Sequence, residues 1–129
     1  INSKKFILYL KNVIGLTNNK SLTLNVTKWF NNISEKNRLH FLRGVFDGDG
    51  SVCQILKNSY CISICSYSKA FILLLSSYFN KYKNMKITKN YIHFNGKYAI
   101  EPFKNILTNK NLHFKRKYKK FQELIKHYK

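Results

Sequence analysis

The residues best suited to chemistry in this chain are two aspartates, Asp47 and Asp49, which lie two positions apart where an apolar segment ends. They are the only aspartates among the 129 residues. Carboxylate oxygens are the ligands that a hard cation such as Mg²⁺ prefers, and a phosphate backbone can supply the remaining oxygens. The first hypothesis is therefore a divalent-cation site, with Mg²⁺ as the expected cofactor.

Three glycines accompany these aspartates. Gly44 and Gly48 stand one helical turn apart, so a second helix backbone can approach closely at that face. Two such helix ends pressed together would hold their carboxylates side by side. Gly50 follows the second aspartate, and we expect it to adopt the positive φ with which a chain leaves a helix.

Other interpretations of the polar residues can be compared with this one. A plain Asp-Gly-Asp-Gly turn is compatible with the same spacing and stays open as an alternative. A calcium loop does not fit, because no further acid follows at the required offsets. Cys53, Cys61 and Cys65 are an odd number of cysteines without a matching pair for a structural zinc, so we expect reduced thiols.

The charge balance points to a polyanionic partner. Lys and Arg number 24 against 5 Asp and Glu, a net charge of +19, which indicates nucleic acid or an acidic membrane surface. Because 44% of the residues are hydrophobic, the chain can bury a core, and no apolar run approaches the roughly 18 residues of a membrane span. The Lys-, Asn- and Ile-rich composition is typical of AT-rich coding, as in mitochondrial and other organelle genomes.

Hydrophobic periodicity predicts an α+β fold in which consecutive hairpins build an antiparallel sheet with helices on one face. The predicted elements are a helix over Ser3–Ile14, an extended segment over Ser21–Val26, a helix capped by Ser34 and ending at Phe46 or Asp47, strands Ser51–Lys57 and Tyr60–Ser66, a helix Lys69–Tyr82 capped by Ser68, strands Met85–Thr88 and Tyr91–Phe94, and helices Tyr98–Leu107 and Lys115–His127.

Two segments share a pattern: Ser3–Leu10 matches Ser68–Leu75 at six of eight positions. The match reflects either two amphipathic helices with a biased alphabet or a true repeat. In the second case, residues 1–33 are a helix and linker that end a preceding repeat, and residues 34–129 form the next domain.

Alternation along the strands predicts which side chains meet a ligand. Val52, Leu56, Ile62 and Ile64 should face the helices. The opposite face of the first hairpin then carries Cys53, Ile55, Lys57, Cys61, Ser63 and Cys65, which include few side chains that read base edges. The second hairpin is better supplied with such groups, namely Lys86, Thr88, Asn90, Tyr91, His93 and Asn95.

The segment Leu42–Gly50 resembles the signature of the LAGLIDADG homing endonucleases, and most closely the second copy in two-repeat members and intein endonuclease domains. The similarity extends along the chain. Trp29-Phe30 followed by Ser34-Glu35 resembles the linker into that copy, Cys65–Lys69 resembles the start of the helix after the first hairpin, and His113–Phe121 resembles the terminal segment that returns a lysine to the active site.

The resemblance implies the order α-β-β-α-β-β-α, with four antiparallel strands forming a saddle over DNA and signature helices packed two-fold on each other. It implies that Asp49 binds the catalytic metal with help from the Gly50 backbone. Lys115 matches the lysine near the scissile phosphate, and Lys117 is the alternative if the register differs by two. Ser68 lies near a family position that often carries a polar residue, which there orients a water molecule.

The implied activity is site-specific, metal-dependent hydrolysis of double-stranded DNA. Because the chain has one signature, we expect a homodimer or a partner chain that carries the other half. The alternative is a catalytically inactive protein on the same fold, such as an intron splicing factor or an RNA-assembly component. The sparse first hairpin, the missing half and the extreme charge favour that alternative.

Overall fold

A computed structural model of the chain describes residues 26–108 and 115–128. Three predictions fall on residues outside these ranges. They are the helix over Ser3–Ile14, the repeat that pairs residues 3–10 with residues 68–75, and nearly all of the extended segment over Ser21–Val26. The described elements are α1 (Thr27–Asn32), α2 (Glu35–Asp49), β1 (Gly50–Leu56), β2 (Ser59–Cys65), α3 (Lys69–Phe79), β3 (Lys86–Ile87), β4 (Tyr91–Asn95), a 3₁₀ helix (Gly96–Ala99), α4 (Ile100–Phe103) and α5 (Lys115–Tyr128).

The strands form one four-stranded sheet in the order β1-β2-β4-β3, and every neighbouring pair is antiparallel. The inward face of the sheet is fully buried at its centre, where Ile62, Ile64, Ile92 and Phe94 are all 0% exposed. The α+β class and the antiparallel sheet predicted from periodicity are confirmed. Across the described ranges, we find no helix that combines the length and apolarity needed to cross a bilayer.

Helix α2 begins as the sequence predicts. The Ser34 hydroxyl accepts a hydrogen bond from the Asn37 N–H at 3.3 Å, and Glu35 lies in the first turn, where its charge complements the helix dipole. The helix ends later than predicted, at Asp49, and β1 follows without an intervening turn. Both aspartates are therefore the last residues of a helix rather than members of a loop.

The prediction that Gly50 adopts a positive φ is wrong. Its φ is −86° and its ψ is 158°, so it leaves the helix in an ordinary extended conformation. A Cβ built at this position collides with the ring of Phe46, which is 0% exposed. Glycine is thus required because the strand backbone crosses directly over a buried aromatic ring.

Four fully buried phenylalanines join the elements behind the sheet. Phe103 lies 5.4 Å from Phe46, 5.3 Å from Phe79 and 6.1 Å from Phe94 between ring centroids. The carboxyl end of α2 is in this way packed on α4, and through Phe103 it is linked to α3 and β4. Such rigid support fixes the position of the aspartates that follow.

The prediction that Leu56 faces the helices is wrong. Gln54 pairs with Tyr60 but Leu56 pairs with Ser59, so β1 holds one extra residue, Ile55, at a bulge. The bulge reverses the alternation, and Ile55 and Leu56 are 56% and 70% exposed at the tip of the hairpin.

Other elements are shorter than predicted. The first strand of the second hairpin covers only Lys86–Ile87, and α3 ends at Phe79. The helix expected over Tyr98–Leu107 divides into the 3₁₀ helix and one turn of α4, in which Pro102 lacks the N–H that a longer upstream helix would need. Helix α1 was not predicted, and its Phe30 packs in the core 5.7 Å from Phe41.

Candidate carboxylate site and nucleic-acid interface

The carboxyl end of α2 concentrates negative charge. Asp49 is exposed and Asp47 is half-buried, and both lie where the helix carbonyls already carry a partial negative charge. This arrangement is unfavourable unless a cation lies nearby. It is therefore a place where the fold must supply a positive side chain or attract a cation from solution.

Lys117 on α5 supplies that positive charge. Its Nζ donates hydrogen bonds to the carbonyl of Phe46 at 3.0 Å and to the carbonyl of Asp47 at 2.7 Å, while the residue is only 9% exposed. Burial lowers the pKa of Lys117, and the neighbouring charges of Asp47 and Asp49 act in the opposite direction. The lysine therefore closes the end of α2 and lies close enough to both carboxylates for their charges to act on it.

The first choice from the resemblance, Lys115, is placed differently. It is the exposed first residue of α5, whereas Lys117, the alternative two positions on, lies at the end of α2. Two residues correspond to more than half a helical turn, so the two side chains leave α5 in different directions. Lys117 is thus the lysine that the structure brings to the aspartates.

The glycine face of α2 is open. Gly44 and Gly48 are both exposed, and a Cβ built at either position would meet no atom within 4 Å. The described part of the chain leaves room along this face for another backbone, next to the two carboxylates.

The outer face of the sheet carries most of the predicted nucleic-acid contacts in rows across the strands. One row consists of Ser51, Ser63, His93 and Lys86, each directly opposite the next. A second row consists of Cys53, Cys61 and Asn95, and beside them Cys65 stands opposite Tyr91. Alternation places all of these on the face away from the buried Ile62 and Ile64.

The remaining predicted contacts lie in the connections. Lys57 is exposed in the turn between β1 and β2, and Thr88 and Asn90 lie between β3 and β4. The Thr88 N–H donates to the Tyr91 carbonyl at 2.9 Å, and the Asn90 carbonyl accepts from the Ser66 N–H at 2.8 Å. The first bond closes the turn between β3 and β4, and the second holds that turn against the end of β2.

Ser68 has a structural position. It is 0% exposed, and its hydroxyl accepts from the Phe71 N–H at 3.2 Å as the N-cap of α3. The cap is the one that the sequence predicts.

The donor set at the end of α2 fits a hard cation in type but not in number. Asp47 and Asp49 offer carboxylate oxygens, the donors that Mg²⁺ prefers. Over residues 26–108 and 115–128, no three His, Cys, Asp or Glu side chains are grouped so that they could hold a metal ion. A cation held here needs further oxygens beyond those of the two aspartates.

Sequence reasoning missed two contributors to this region. Arg43 is buried on α2, where its Nε donates to the Ile106 carbonyl at 2.7 Å and its Nη1 donates to His40 Nδ1 at 2.8 Å. The Tyr128 hydroxyl accepts from the Tyr60 N–H at 3.1 Å and fixes α5 to the first hairpin. The only sequence signal for Arg43 is a charge among apolar helix positions, and Tyr128 has none.

The chain matches no protein-family model, and no curated protein or solved structure is significantly similar to it.

Proposed function

We propose that this chain is a metal-dependent, site-specific DNA endonuclease of the LAGLIDADG type, or one half of such an enzyme. The observation that carries the proposal is the end of α2, where exposed Asp49 and half-buried Asp47 lie beside a helix end closed by Lys117, next to an open helix face. Carboxylates that can hold a metal ion and a nearby ammonium that can stabilise developing negative charge are both useful groups for phosphodiester hydrolysis.

The residues at the end of α2 and Lys117 have different roles in this proposal. Asp49 would hold Mg²⁺ through its carboxylate oxygens, Asp47 adds negative charge beside it, and the Gly50 backbone borders the same region. A bound divalent cation supplies activation of water and neutralises charge on the leaving oxygen. Lys117 keeps the helix end in place and adds positive potential where a phosphate would approach.

A second chain completes the site in this proposal. One chain brings two carboxylates to the end of α2, too few for a metal clamp by themselves. The open face at Gly44 and Gly48 accepts the equivalent helix of a second copy, or of a partner with its own signature, and would bring a second Asp49 alongside.

The outer face of the sheet is the proposed DNA surface. The row that ends in His93 and Lys86, together with Tyr91, Asn95 and the exposed Lys57, supplies groups for phosphates and base edges. With a net charge of +19, the chain should bind duplex DNA with a steep salt dependence.

A second candidate is a nucleic-acid-binding protein without cleavage, acting on RNA or DNA. The observation in its favour is the short side chains opposite each other on the first hairpin: Ser51 with Ser63, and Cys53 with Cys61. Such side chains reach poorly into a major groove, so this half of the sheet reads little sequence.

The test is a nicking assay with Mg²⁺, run beside light scattering of the protein mixed with duplex DNA. We expect a dimer that nicks DNA, and an Asp49→Asn variant with nearly the same Kd but cleavage slowed about 100-fold or more. Asp47→Asn is the matched control, because it removes the same charge from the same helix end, and its cleavage rate should stay within a few-fold of the wild-type rate. Full cutting by Asp49→Asn would overturn the endonuclease assignment, and a dimer that binds without cutting would favour the second candidate.

A further inference from the structure

Two cysteines face each other at the centre of the first hairpin. Cys53 on β1 and Cys61 on β2 are direct partners in the antiparallel register, on the outer face of the sheet. Directly opposite residues hold their Cα atoms about 4.5–5.5 Å apart, and a disulfide needs about 4.4–6.8 Å. The backbone therefore already holds the two residues at a Cα separation that a disulfide can span.

The surroundings distinguish the two thiols. Cys53 is exposed, and its Sγ lies 2.9 Å from the Ser51 hydroxyl. Cys61 is half-buried, and burial raises its pKa, with the neighbouring Cys53 adding to the rise and Lys86 opposing it. A reagent from solution thus meets Cys53 first, and Cys61 is the thiol positioned to react second.

We propose that Cys53 and Cys61 are a reversible modification site, oxidised to an intramolecular disulfide by a small-molecule disulfide of the glutathione type. The Cys53 thiolate attacks one sulfur of the reagent, whose S–S bond breaks and releases one thiol. The Cys61 thiolate then attacks the Cys53 sulfur and releases the second thiol. The protein gives up two electrons and two protons, and the reagent is reduced to two thiols.

Cys65 provides an internal comparison. It lies on β2 and is half-buried like Cys61, but its register partner is Tyr91 on β4. Since no thiol stands opposite it, Cys65 should form at most a mixed disulfide with the reagent.

The consequence for nucleic acid rests on the proposed function. The pair lies on the face that we propose binds DNA, in the row that continues to Asn95. Bound DNA should therefore cover both thiols. At a duplex concentration of about 100 times Kd, about one chain in 100 is free, so oxidation should slow by about 100-fold.

The test treats the intact chain with oxidised glutathione and follows the mass of the protein. The wild type and Cys65→Ser should each lose two hydrogens, with a peptide that links Cys53 to Cys61. Cys53→Ser and Cys61→Ser should keep their circular dichroism spectra and give only mixed glutathione adducts. A wild type that gains adducts without losing two hydrogens, or that links Cys65 as fast, would overturn the proposal.

A second arm adds duplex DNA at low salt before the oxidant. A disulfide that forms equally fast with and without DNA would leave the modification site standing and count against the proposed DNA face. A disulfide that fails to form in free protein would overturn the modification site, whatever the DNA does.

Discussion

Lys117→Met removes the ammonium group that closes α2 and keeps an unbranched apolar side chain of similar length. The wild-type Nζ donates to two carbonyls, those of Phe46 and Asp47, at 3.0 and 2.7 Å. Each hydrogen bond from a charged donor contributes about 1.5–3 kcal/mol net, so the pair amounts to about 3–6 kcal/mol. Methionine avoids the desolvation of the ammonium, which offsets most of that loss. We expect the free energy of unfolding to fall by about 1–2 kcal/mol.

The control is Lys115→Met, which removes the same charge from an exposed position on the same helix. It should change the free energy of unfolding by less than about 0.5 kcal/mol. Urea unfolding can be followed by the fluorescence of Trp29, the only tryptophan, whose ring lies 5.1 Å from that of Phe41. Equal midpoints and slopes for the two variants would refute the account of Lys117 as the closing residue.

The same variant tests the direction in which the pKa of Lys117 is shifted. Because burial lowers its pKa below the ordinary 10.5, the unfolded chain binds more protons than the folded chain between the two pKa values. Stability attributable to Lys117 should therefore rise with pH in that window. The difference in unfolding free energy between wild type and Lys117→Met should grow from neutral pH toward 10.5. A difference that shrinks would mean that the aspartates outweigh burial.

Three further predictions follow from the packing. Gly50→Ala should lower the free energy of unfolding by about 1–3 kcal/mol, because the added methyl group meets the buried ring of Phe46. Gly48→Ala on the open face is the control and should not lower the thermal midpoint, so equal midpoints for the two variants would contradict this account. Ser68→Ala should lower the free energy of unfolding, measured in urea, by about 1–2 kcal/mol. The loss should be larger than for Ser34→Ala, because the Ser68 cap is buried and the Ser34 cap is exposed, and the reverse order would refute this reasoning. Tyr128→Phe should speed amide hydrogen exchange at Tyr60, whose N–H loses its acceptor, and unchanged exchange would contradict that bond.

Local signals explain which parts of the fold were predictable. The caps at Ser34 and Ser68 depend on neighbours three residues away, and both are confirmed. The bulge at Ile55 and the ring under Gly50 depend on the packing of whole elements, which no short window of sequence contains. The predictions that failed are therefore the ones decided by tertiary contacts.

The candidate site divides in the same way. Composition and spacing identify Asp47 and Asp49, because two isolated acids in a basic chain are visible in one dimension. Spacing alone could not choose between Lys115 and Lys117, since the bond from Lys117 to Phe46 joins residues 71 positions apart. Arg43 was missed because an arginine that donates to a carbonyl 63 residues away has the same local sequence as a solvated one.

Helix α5 contacts the first hairpin at both ends, and this has a consequence for how the protein is made. Lys117 holds the base of the hairpin, where α2 becomes β1, and His127 Nε2 and the Tyr128 hydroxyl hold its tip at Asn58 and Tyr60. These bonds span 68 to 71 residues, so they form only after the whole sheet has been synthesised. On the ribosome, the hairpin that follows the two aspartates lacks its α5 contacts until Tyr128 has emerged, so the site takes its final shape only once α5 has been made.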